Sequence, residues 1–399
     1  MLNLFRILIS LTIFWTMLQQ PQAALLAAQN ALGSWWRNVL PALLPFFILT
    51  EFLSRCGFIR ALSIWLEPIM QPLFRLPGAA ALGIILGFFA GSPTGGAIAG
   101  QLRSQQLISR NEGERLTAFC NNAGPLYVMI TVTAALQQPA LGIWLALAHY
   151  PLNLLLGLLL RFFAPKRNSP QPPTQSVRQL IASGWQAAFG RQTKVQPLSQ
   201  MLKESSFKAL INIGMIGAFM LIFSLLLLTL RQTGLLSLLQ ILLQPICQLF
   251  GLPNSVLPAL SEGFFEMTLG IDTLAASAAP LQAKLLCAAI ILGWSGLSIH
   301  TQIAGVLNET DLTLKYYLPC RLLHCLAAPA LLLGCQKFGL INIGSSTLPE
   351  TNGLFGIMHL LGLAQTFNVW QTLAAWLLGS LICLLALLSC SFVIVHKHR

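Results

Sequence analysis

The chain has 399 residues, of which 55% are hydrophobic and only 9% are charged. A soluble domain carries roughly 25% charged residues, so this composition excludes an ordinary soluble protein and predicts an integral membrane protein. The net charge of +12 does not indicate nucleic-acid binding, because the basic residues gather in one loop and at segment ends. The length allows about eight to ten spanning or half-spanning segments.

The N-terminal region predicts a first membrane crossing. Residues 1–20 combine one early basic residue, Arg6, with an apolar run, which fits a signal anchor, a first transmembrane helix or a cleaved signal peptide. Residues 19–34 carry no charge and are predicted to form an external loop. Residues 58–77 space charged residues among large apolar ones, which predicts a helix lying in the membrane interface.

The next stretch, residues 87–126, holds a first break in an apolar run. Gly91, Pro93, Gly95 and Gly96 interrupt a segment that otherwise has the composition to cross a bilayer. Unwound backbone at membrane depth is tolerated only where protein or a water-filled cavity satisfies its polar groups. The break therefore predicts a path for a polar solute.

A second break, NNAGP, follows at residues 121–125. Asn121 and Asn122 supply uncharged donors and acceptors suited to a small polar solute. The alternative is that these amides only cap or bridge the broken helices.

Residues 164–205 are rich in proline and carry six basic residues against a single acid. The positive-inside rule predicts that this basic loop is cytoplasmic, and its composition predicts partial disorder. The C-terminal tail, residues 396–399, follows the last apolar run at 370–395 and is also predicted to be cytoplasmic.

An internal repeat relates residues 35–163 to residues 206–338. The matched positions, offset by 175 to 177 residues, are Glu67-Pro68-Ile69 with Gln244-Pro245-Ile246, Leu76-Pro77 with Leu252-Pro253, Gly87-Phe88-Phe89 with Gly263-Phe264-Phe265, His149 with His324, and Phe163 with Phe338.

The predicted topology gives the two repeats opposite orientations. With the basic loop and the tail both inside, repeat 2 begins inside and ends outside, whereas repeat 1 begins outside and ends inside. The predicted fold is an all-α integral membrane protein, a polytopic helical bundle with two inverted repeats and broken or re-entrant helices at the midplane. The predicted domains are an N-terminal anchor or first helix (1–20), membrane repeat 1 (35–163), a basic loop (164–205), membrane repeat 2 (206–338), and an external loop with the last transmembrane helix and tail (339–399).

Repeat 2 contains two acids in an apolar stretch. Glu262 and Glu266 are four residues apart and are therefore predicted to share one helical face. Ionisable groups inside a membrane are costly and usually face a cavity or a partner, so these carboxylates are candidates for coupling a proton or sodium to transport. The alternatives are a structural pair with Arg or Lys, or a carboxyl held neutral.

Further along repeat 2, Ser295, Ser298, His300 and Gln302 supply polar groups beside another break. Arg321 lies in an apolar segment, where it neutralises an anionic solute or pairs with Glu266.

His149 and His324 occupy matched repeat positions, and Cys320 and Cys325 flank the second histidine. A metal pathway would use such ligands, but the spacing fits no closed zinc site, and packing with one hydrogen bond is the preferred interpretation. No metal site is therefore predicted. The chain also lacks a phosphate-cradling loop and the common hydrolase, metalloprotease and kinase motifs, so we predict no catalytic residues and no enzyme.

The motifs GSPTGG and EGERL…FCNNAGPL in the first half, with GFFEMTLGI and GWSGLSIHTQIAGVLNETDL in the second, resemble the sporulation integral membrane protein YlbJ family of Gate, or nucleoside-recognition, domain proteins. The resemblance covers about residues 35 to 335. It implies an inverted-repeat fold similar in outline to concentrative nucleoside transporters, and movement of dipicolinic acid across the outer forespore membrane of a sporulating host.

Sequence and resemblance together give the candidate site. The substrate-binding candidates are Gly91, Ser92, Pro93, Thr94, Gly95, Asn121, Asn122, Pro125, Ser295, Gly296, Ser298, Gln302 and Arg321, and the ion-coupling candidates are Glu262 and Glu266.

The predicted function is a secondary transporter of a small anionic or aromatic metabolite, with dipicolinic acid as leading candidate. A nucleoside transporter, a divalent-metal transporter and a non-transporting membrane scaffold are the alternatives. The predicted partners are the lipid bilayer and a small solute, without nucleic acid, and a homo-oligomer is compatible with the sequence. No cofactor is predicted beyond a coupling proton or sodium, and the predicted location is the bacterial cell membrane.

Overall fold

The computed structural model describes residues 2–56, 58–165, 177–189 and 197–338, and every regular element in those ranges is helical. The all-α prediction is therefore confirmed. The last predicted transmembrane segment, residues 370–395, the preceding external loop and the tail lie outside the described residues, as do parts of the basic loop. The described stretches that are long and apolar enough to cross a membrane are Leu141–Phe163, Leu198–Gln232, Leu281–Leu307 and Tyr317–Lys337.

The helices before the basic loop are α1 (Leu2–Gln19), α2 (Pro21–Ser34), α3 (Leu40–Arg55), α4 (Phe58–Phe74), α5 (Ala80–Phe89), α6 (Thr94–Ser104), α7 (Arg110–Cys120), α8 (Thr133–Ala135) and α9 (Leu141–Leu160), with π-helical turns at Trp35–Val39 and Tyr127–Val132 and a 3-10 turn at Arg161–Phe163. The later helices are α10 (Val177–Phe189), α11 (Leu198–Gln232), α12 (Leu235–Leu249), α13 (Leu257–Phe265), α14 (Met267–Ala276), α15 (Leu281–Trp294), α16 (Gly296–Leu307) and α17 (Tyr317–Lys337), with a 3-10 turn at Asn254–Val256. Within the predicted basic loop, α10 and the first turns of α11 are thus helical.

Residues 21–55 form one long helical stretch, because the π-helical turn joins α2 to α3, and this stretch packs against α11. The contacts follow reversed order along the two helices: Ala27 with Ser224, Trp35 with Ile213, and Arg55 with Glu204. The two therefore run antiparallel. Residues 19–34 were predicted to form an external loop; this prediction is wrong, because their small residues Ala24 and Ala31 are buried in a helix.

The chain follows the same order of elements after α3 and after α11. An amphipathic helix, α4 or α12, leads to a short interrupted pair, α5–α6 or α13–α14. A second interrupted pair follows and then a final spanning helix, α9 or α17. This order agrees with the repeat read from the sequence, while the opposite orientation of the two units stays a prediction.

Two contacts show that the loop between α16 and α17 lies beside the C-terminal ends of α6 and α9. Arg103, in α6, forms two hydrogen bonds of 2.8 and 2.9 Å with Asp311, in the loop between α16 and α17. Phe163 lies 6.0 Å from Tyr316, in the same loop, measured between ring centroids. Helix α9 therefore ends where α17 begins.

Glycines let the short helices approach at backbone distance, as small residues do in membrane proteins. A Cβ atom added at Gly87 of α5 would lie 1.9 Å from the carbonyl oxygen of Cys120 in α7, and one at Gly95 of α6 would lie 2.5 Å from it. In the second half, a Cβ at Gly270 would lie 2.4 Å from the Cα of Gly263. Only glycine allows these crossings.

Candidate solute site

A cavity lies where the interrupted helices of both halves meet. Its polar lining includes Gly91 and Ser92 of the first break, Asn122 of the second, Glu266 between α13 and α14, Ser295 between α15 and α16, and Gln302 of α16. Val39, Leu43, Ile216 and Met220 form an apolar wall. The cavity has a volume of about 80 Å³, which is room for several water molecules.

The two breaks of the first half are joined to each other. Ser92 N–H donates to the carbonyl oxygen of Asn122 at 2.7 Å, and the Ser92 hydroxyl donates to the same oxygen at 3.2 Å. Gly91 has φ +82°, and a Cβ there would lie 2.8 Å from the nitrogen of Gly124. Gly91 is therefore required both by its left-handed backbone and by this close approach.

The neighbouring asparagines have different roles. Asn121 is fully buried: its Oδ1 accepts a bond from Gly96 N–H at 2.8 Å, and its Nδ2 donates to the Thr117 carbonyl at 2.7 Å. It bridges α6 and α7 and does not line the cavity. Asn122 does line the cavity, and its Oδ1 has no hydrogen-bond partner among the described residues. Of the two asparagines, Asn122 is therefore the one that borders the cavity and keeps an unpaired amide oxygen in the described part of the chain.

Glu266 forms the break between α13 and α14. Its backbone is extended, and its carboxylate accepts a bond from Leu269 N–H at 2.7 Å as the N-cap of α14. The prediction that Glu262 and Glu266 share a helical face is wrong, because α13 ends at Phe265 and the backbone turns at Glu266. The carboxylate of Glu266 borders the cavity.

Glu262 instead contacts Arg231 of α11 and Thr273 of α14, each at 2.5 Å. Its carboxylate joins three helices and lies outside the cavity lining. The geometry matches the structural pairing that the sequence left open, and an ion-coupling role for Glu262 stays a prediction.

The break between α15 and α16 packs against Glu266. Ser295 and Gly296 have φ +73° and +86°, and a Cβ at Gly296 would lie 3.1 Å from Phe265 O. Nearly two turns into α16, Gln302 Nε2 donates to the Ser298 hydroxyl at 3.2 Å, while Gln302 Oε1 has no partner in the part of the chain that the structure describes. Gln302 is therefore a second cavity-lining amide with an unpaired oxygen.

Arg321 lies behind the second break and is completely buried. Its guanidinium donates to the carbonyl oxygens of Asn121 and Ala118, at 3.2 and 3.3 Å, and to Asn153 Oδ1. Within the described residues no bond joins it to Glu266, and its Nε has no partner. Its positive charge lies close to the cavity wall, because it binds the carbonyl oxygen of Asn121, and the next residue, Asn122, lines the cavity.

The remaining predicted residues surround the cavity without lining it. They are Pro93, Thr94, Gly95, Asn121, Pro125, Gly296, Ser298 and Arg321. Sequence reasoning missed Tyr127 and Thr268, which line the cavity and join the two halves through a 3.4 Å hydrogen bond. Their positions could have indicated them as candidates, because Tyr127 follows Pro125, and Thr268 follows Glu266, by two residues.

The two matched histidines meet in the structure. The rings of His149 and His324 lie 4.6 Å apart between centroids and are buried. Among the described residues, no group of three or more His, Cys, Asp or Glu side chains is arranged to hold a metal ion.

Comparison with known proteins relates the sequence to one family. A family model described as Gate, nucleoside recognition, matches residues 36–142. The sporulation integral membrane protein YlbJ of Bacillus subtilis (strain 168) is 35% identical over 315 residues, which cover 77% of this chain and 76% of that protein. No solved structure matches the chain significantly.

The apolar helices, the interrupted pairs and the Gate match define an integral membrane protein of a class with a membrane transport-related role. Within that class, the chain belongs to the YlbJ family of sporulation integral membrane proteins.

Proposed function

We propose that this protein is a secondary transporter of a small anionic or aromatic metabolite, with dipicolinate as the leading candidate. The observation that carries the proposal is the cavity, because both halves of the chain and all four helix breaks contribute to its lining. Binding between discontinuous helices is the arrangement by which transporters hold a polar solute within the membrane.

The positive ends of short helices favour an anion. Helices α6, α14 and α16 all begin within or directly after break residues that line the cavity, and a helix N-terminus carries about half a positive charge. Arg321 adds a full charge behind the wall. These groups support a carboxylate-bearing solute.

Aromatic and neutral groups complete the fit. Phe89 and Tyr127 contribute aromatic side chains to the cavity lining, which suit a flat solute, and Asn122 and Gln302 contribute amides whose oxygens have no partner within the described residues. Dipicolinate is aromatic and carries two carboxylates, and it is the solute that membership of a sporulation family favours.

Glu266 is the proposed ion-coupling residue. It supplies a carboxylate to the cavity, and that carboxylate also caps α14. Binding of a proton or sodium at Glu266 would therefore change both the charge facing the solute and the bond that fixes the start of α14.

The direct test is uptake into proteoliposomes that contain the full chain, with dipicolinate, nucleosides and ferrous iron as separate solutes. We expect dipicolinate to accumulate and Glu266→Gln to lower its uptake about tenfold, equivalent to about 1.4 kcal/mol. Glu309→Gln is the matched control, because Glu309 is exposed on the loop after α16. Equal uptake by Glu266→Gln and the control would remove the coupling role.

A nucleoside is the second candidate solute, favoured by the nucleoside-recognition description of the Gate match and by the neutral amides Asn122 and Gln302. Accumulation of nucleosides without dipicolinate would establish it. If a correctly folded protein carries none of the three solutes, transport is excluded for them and a membrane scaffold becomes the better interpretation.

A further inference from the structure

We propose that His149 and His324 form a proton-binding site that alters the second break when it takes up a proton. The inference rests on the proposed transport function and adds a proton site distinct from Glu266. The two side chains come from α9 and α17, the final spanning helices of the two halves, and they are 2% and 0% exposed.

His149 holds the backbone of the second break. Its Nε2 accepts a hydrogen bond from Ala123 N–H at 3.2 Å, and the hydroxyl of Tyr150 donates to Ala123 O at 2.9 Å. Ala123 lines the cavity. Because an imidazole nitrogen accepts only when it carries no hydrogen, protonation of Nε2 breaks the bond to Ala123 and releases this part of the cavity wall.

The imidazoles also have unused hydrogen-bonding atoms. His149 Nδ1 and both ring nitrogens of His324 are buried and have no partner within the described ranges. Such atoms are costly in an apolar environment and require a reason. While Nε2 of His149 accepts, its Nδ1 carries the ring hydrogen, so an added proton on this ring goes to Nε2; the neighbouring His324 ring, 4.6 Å away between centroids, can take a proton without losing a hydrogen bond.

Arg321 controls when that proton binds. The titratable or charged groups close to the pair are Tyr150 of α9, whose ring lies 5.3 Å from that of His149 between centroids, and Arg321 of α17, around which lie Cys120, Tyr317, Cys320 and Cys325. Arg321 binds Asn153 Oδ1, and Asn153 Nδ2 donates to the carbonyl oxygen of His149, so the positive charge of Arg321 lies close enough to oppose a second positive charge on the pair. A bound anion beside the second break would offset this charge, so anion binding and proton binding should favour each other.

Hydrogen–deuterium exchange of the peptide around Ala123 tests the site without transport. In the full-length protein we expect protection of this peptide, corrected for intrinsic exchange, to fall about fivefold between pH 8 and pH 5, as loss of one hydrogen bond predicts. Gln has an acceptor oxygen but does not titrate, so His149→Gln should keep protection at both pH values. Glu266→Gln is the control and should retain the fivefold change.

A second variant, His324→Gln, covers the case in which His149→Gln does not fold. It should also reduce the pH-dependent change. The proposal would be overturned if protection of the Ala123 peptide in the wild-type protein did not depend on pH. It would also be overturned if the pH-dependent change in protection persisted in the folded histidine variants but disappeared in Glu266→Gln.

Proton flux is the second measurement. A pH-sensitive dye inside proteoliposomes should report acidification when dipicolinate enters through the wild-type protein. In His324→Gln we expect the proton signal per dipicolinate taken up to fall about tenfold. Unchanged proton flux in this variant would contradict the site. If the wild-type protein carries no solute, the proposed function fails, and the exchange experiment alone decides whether the histidines bind the proton.

Discussion

The two halves of the cavity are held together by different chemistry. In the first half, neutral groups fix the breaks: Ser92 N–H binds Asn122 O, and the Asn121 amide binds Gly96 N–H. In the second half, carboxylates perform the same work, since Glu266 caps α14 and Glu262 ties α13 to α11 and α14. The bonds that Ser92 and Asn121 make in the first half therefore involve no titratable group, whereas those of Glu262 and Glu266 in the second half depend on a carboxylate that can bind an ion.

The largest effect should follow loss of Arg321, which joins α17 of the second half to the breaks of the first. Arg321→Met leaves the acceptors on Asn121, Ala118 and Asn153 without this donor. We expect a loss of several kcal/mol in unfolding free energy, because each buried acceptor left without a donor costs about 1–3 kcal/mol. Thermal unfolding in detergent is the measurement, with exposed Arg37→Met as control. Equal midpoints would show that Arg321 does not join the halves.

A smaller but still large effect should follow an added methyl group at the helix crossings. Gly87→Ala in the first half and Gly270→Ala in the second force contacts with Cys120 and Gly263, and each should cost about 1–3 kcal/mol or more. Gly214→Ala in α11 is the matched control, since nothing lies within 4 Å of the added atom. Similar losses of unfolding free energy in both halves would show that the halves differ in the charge of their stabilising groups and not in how tightly their helices cross. Tolerance of either substitution would show that its crossing relaxes.

Asn121→Ala and Glu266→Gln should separate stability from ion response. Asn121→Ala removes two buried hydrogen bonds and should cost about 1–3 kcal/mol in unfolding free energy without changing the ion dependence of uptake. Glu266→Gln keeps an acceptor for Leu269 N–H and should destabilise less while changing that dependence. Unfolding and uptake measured on the same preparations check both expectations. The reverse result would reverse the proposed roles of the two halves.

The smallest effect should come from the exposed pair Arg103–Asp311, which lies outside the spanning segments. The hydrogen bonds from Arg103 lower the pKa of the Asp311 carboxyl below its ordinary value. The pair therefore contributes stability above the ordinary pKa of Asp and loses it as pH falls through the lowered value. Asp311→Asn should lower the unfolding midpoint slightly at pH 7 and at low salt. Below the lowered pKa of Asp311, or in high salt, the difference should disappear. A constant difference would indicate another cause.

Much of the fold was predictable because its signals are local. Long apolar runs predicted spanning helices, and Gly and Pro within such runs predicted breaks at Gly91 and near Pro125. The repeat in the sequence also anticipated the same order of helices in each half. Residues 19–34 misled the prediction because a helix packed on α11 needs small residues rather than charge.

The site was less predictable because backbone direction at a break is not a property of residue type. Asn121 and Asn122 are chemically identical neighbours, yet one bridges helices and the other lines the cavity. Glu262 and Glu266 would share a face on a continuous helix, but the chain turns at Glu266. The spacing of residues in the sequence identified the polar groups, but only the backbone turns in the structure show which of them line the cavity.

The length of helix α11 also indicates the thickness of the bilayer that suits this protein. Its 35 residues extend about 52 Å, well beyond a hydrocarbon core of about 30 Å. Lys208, paired with Glu51, and Arg231, paired with Glu262, enclose an apolar stretch of about 34 Å. That stretch matches a membrane of ordinary or slightly greater thickness. A thinner bilayer would force α11 to tilt, and because residues 21–55 pack along it, both long helices would tilt as one unit.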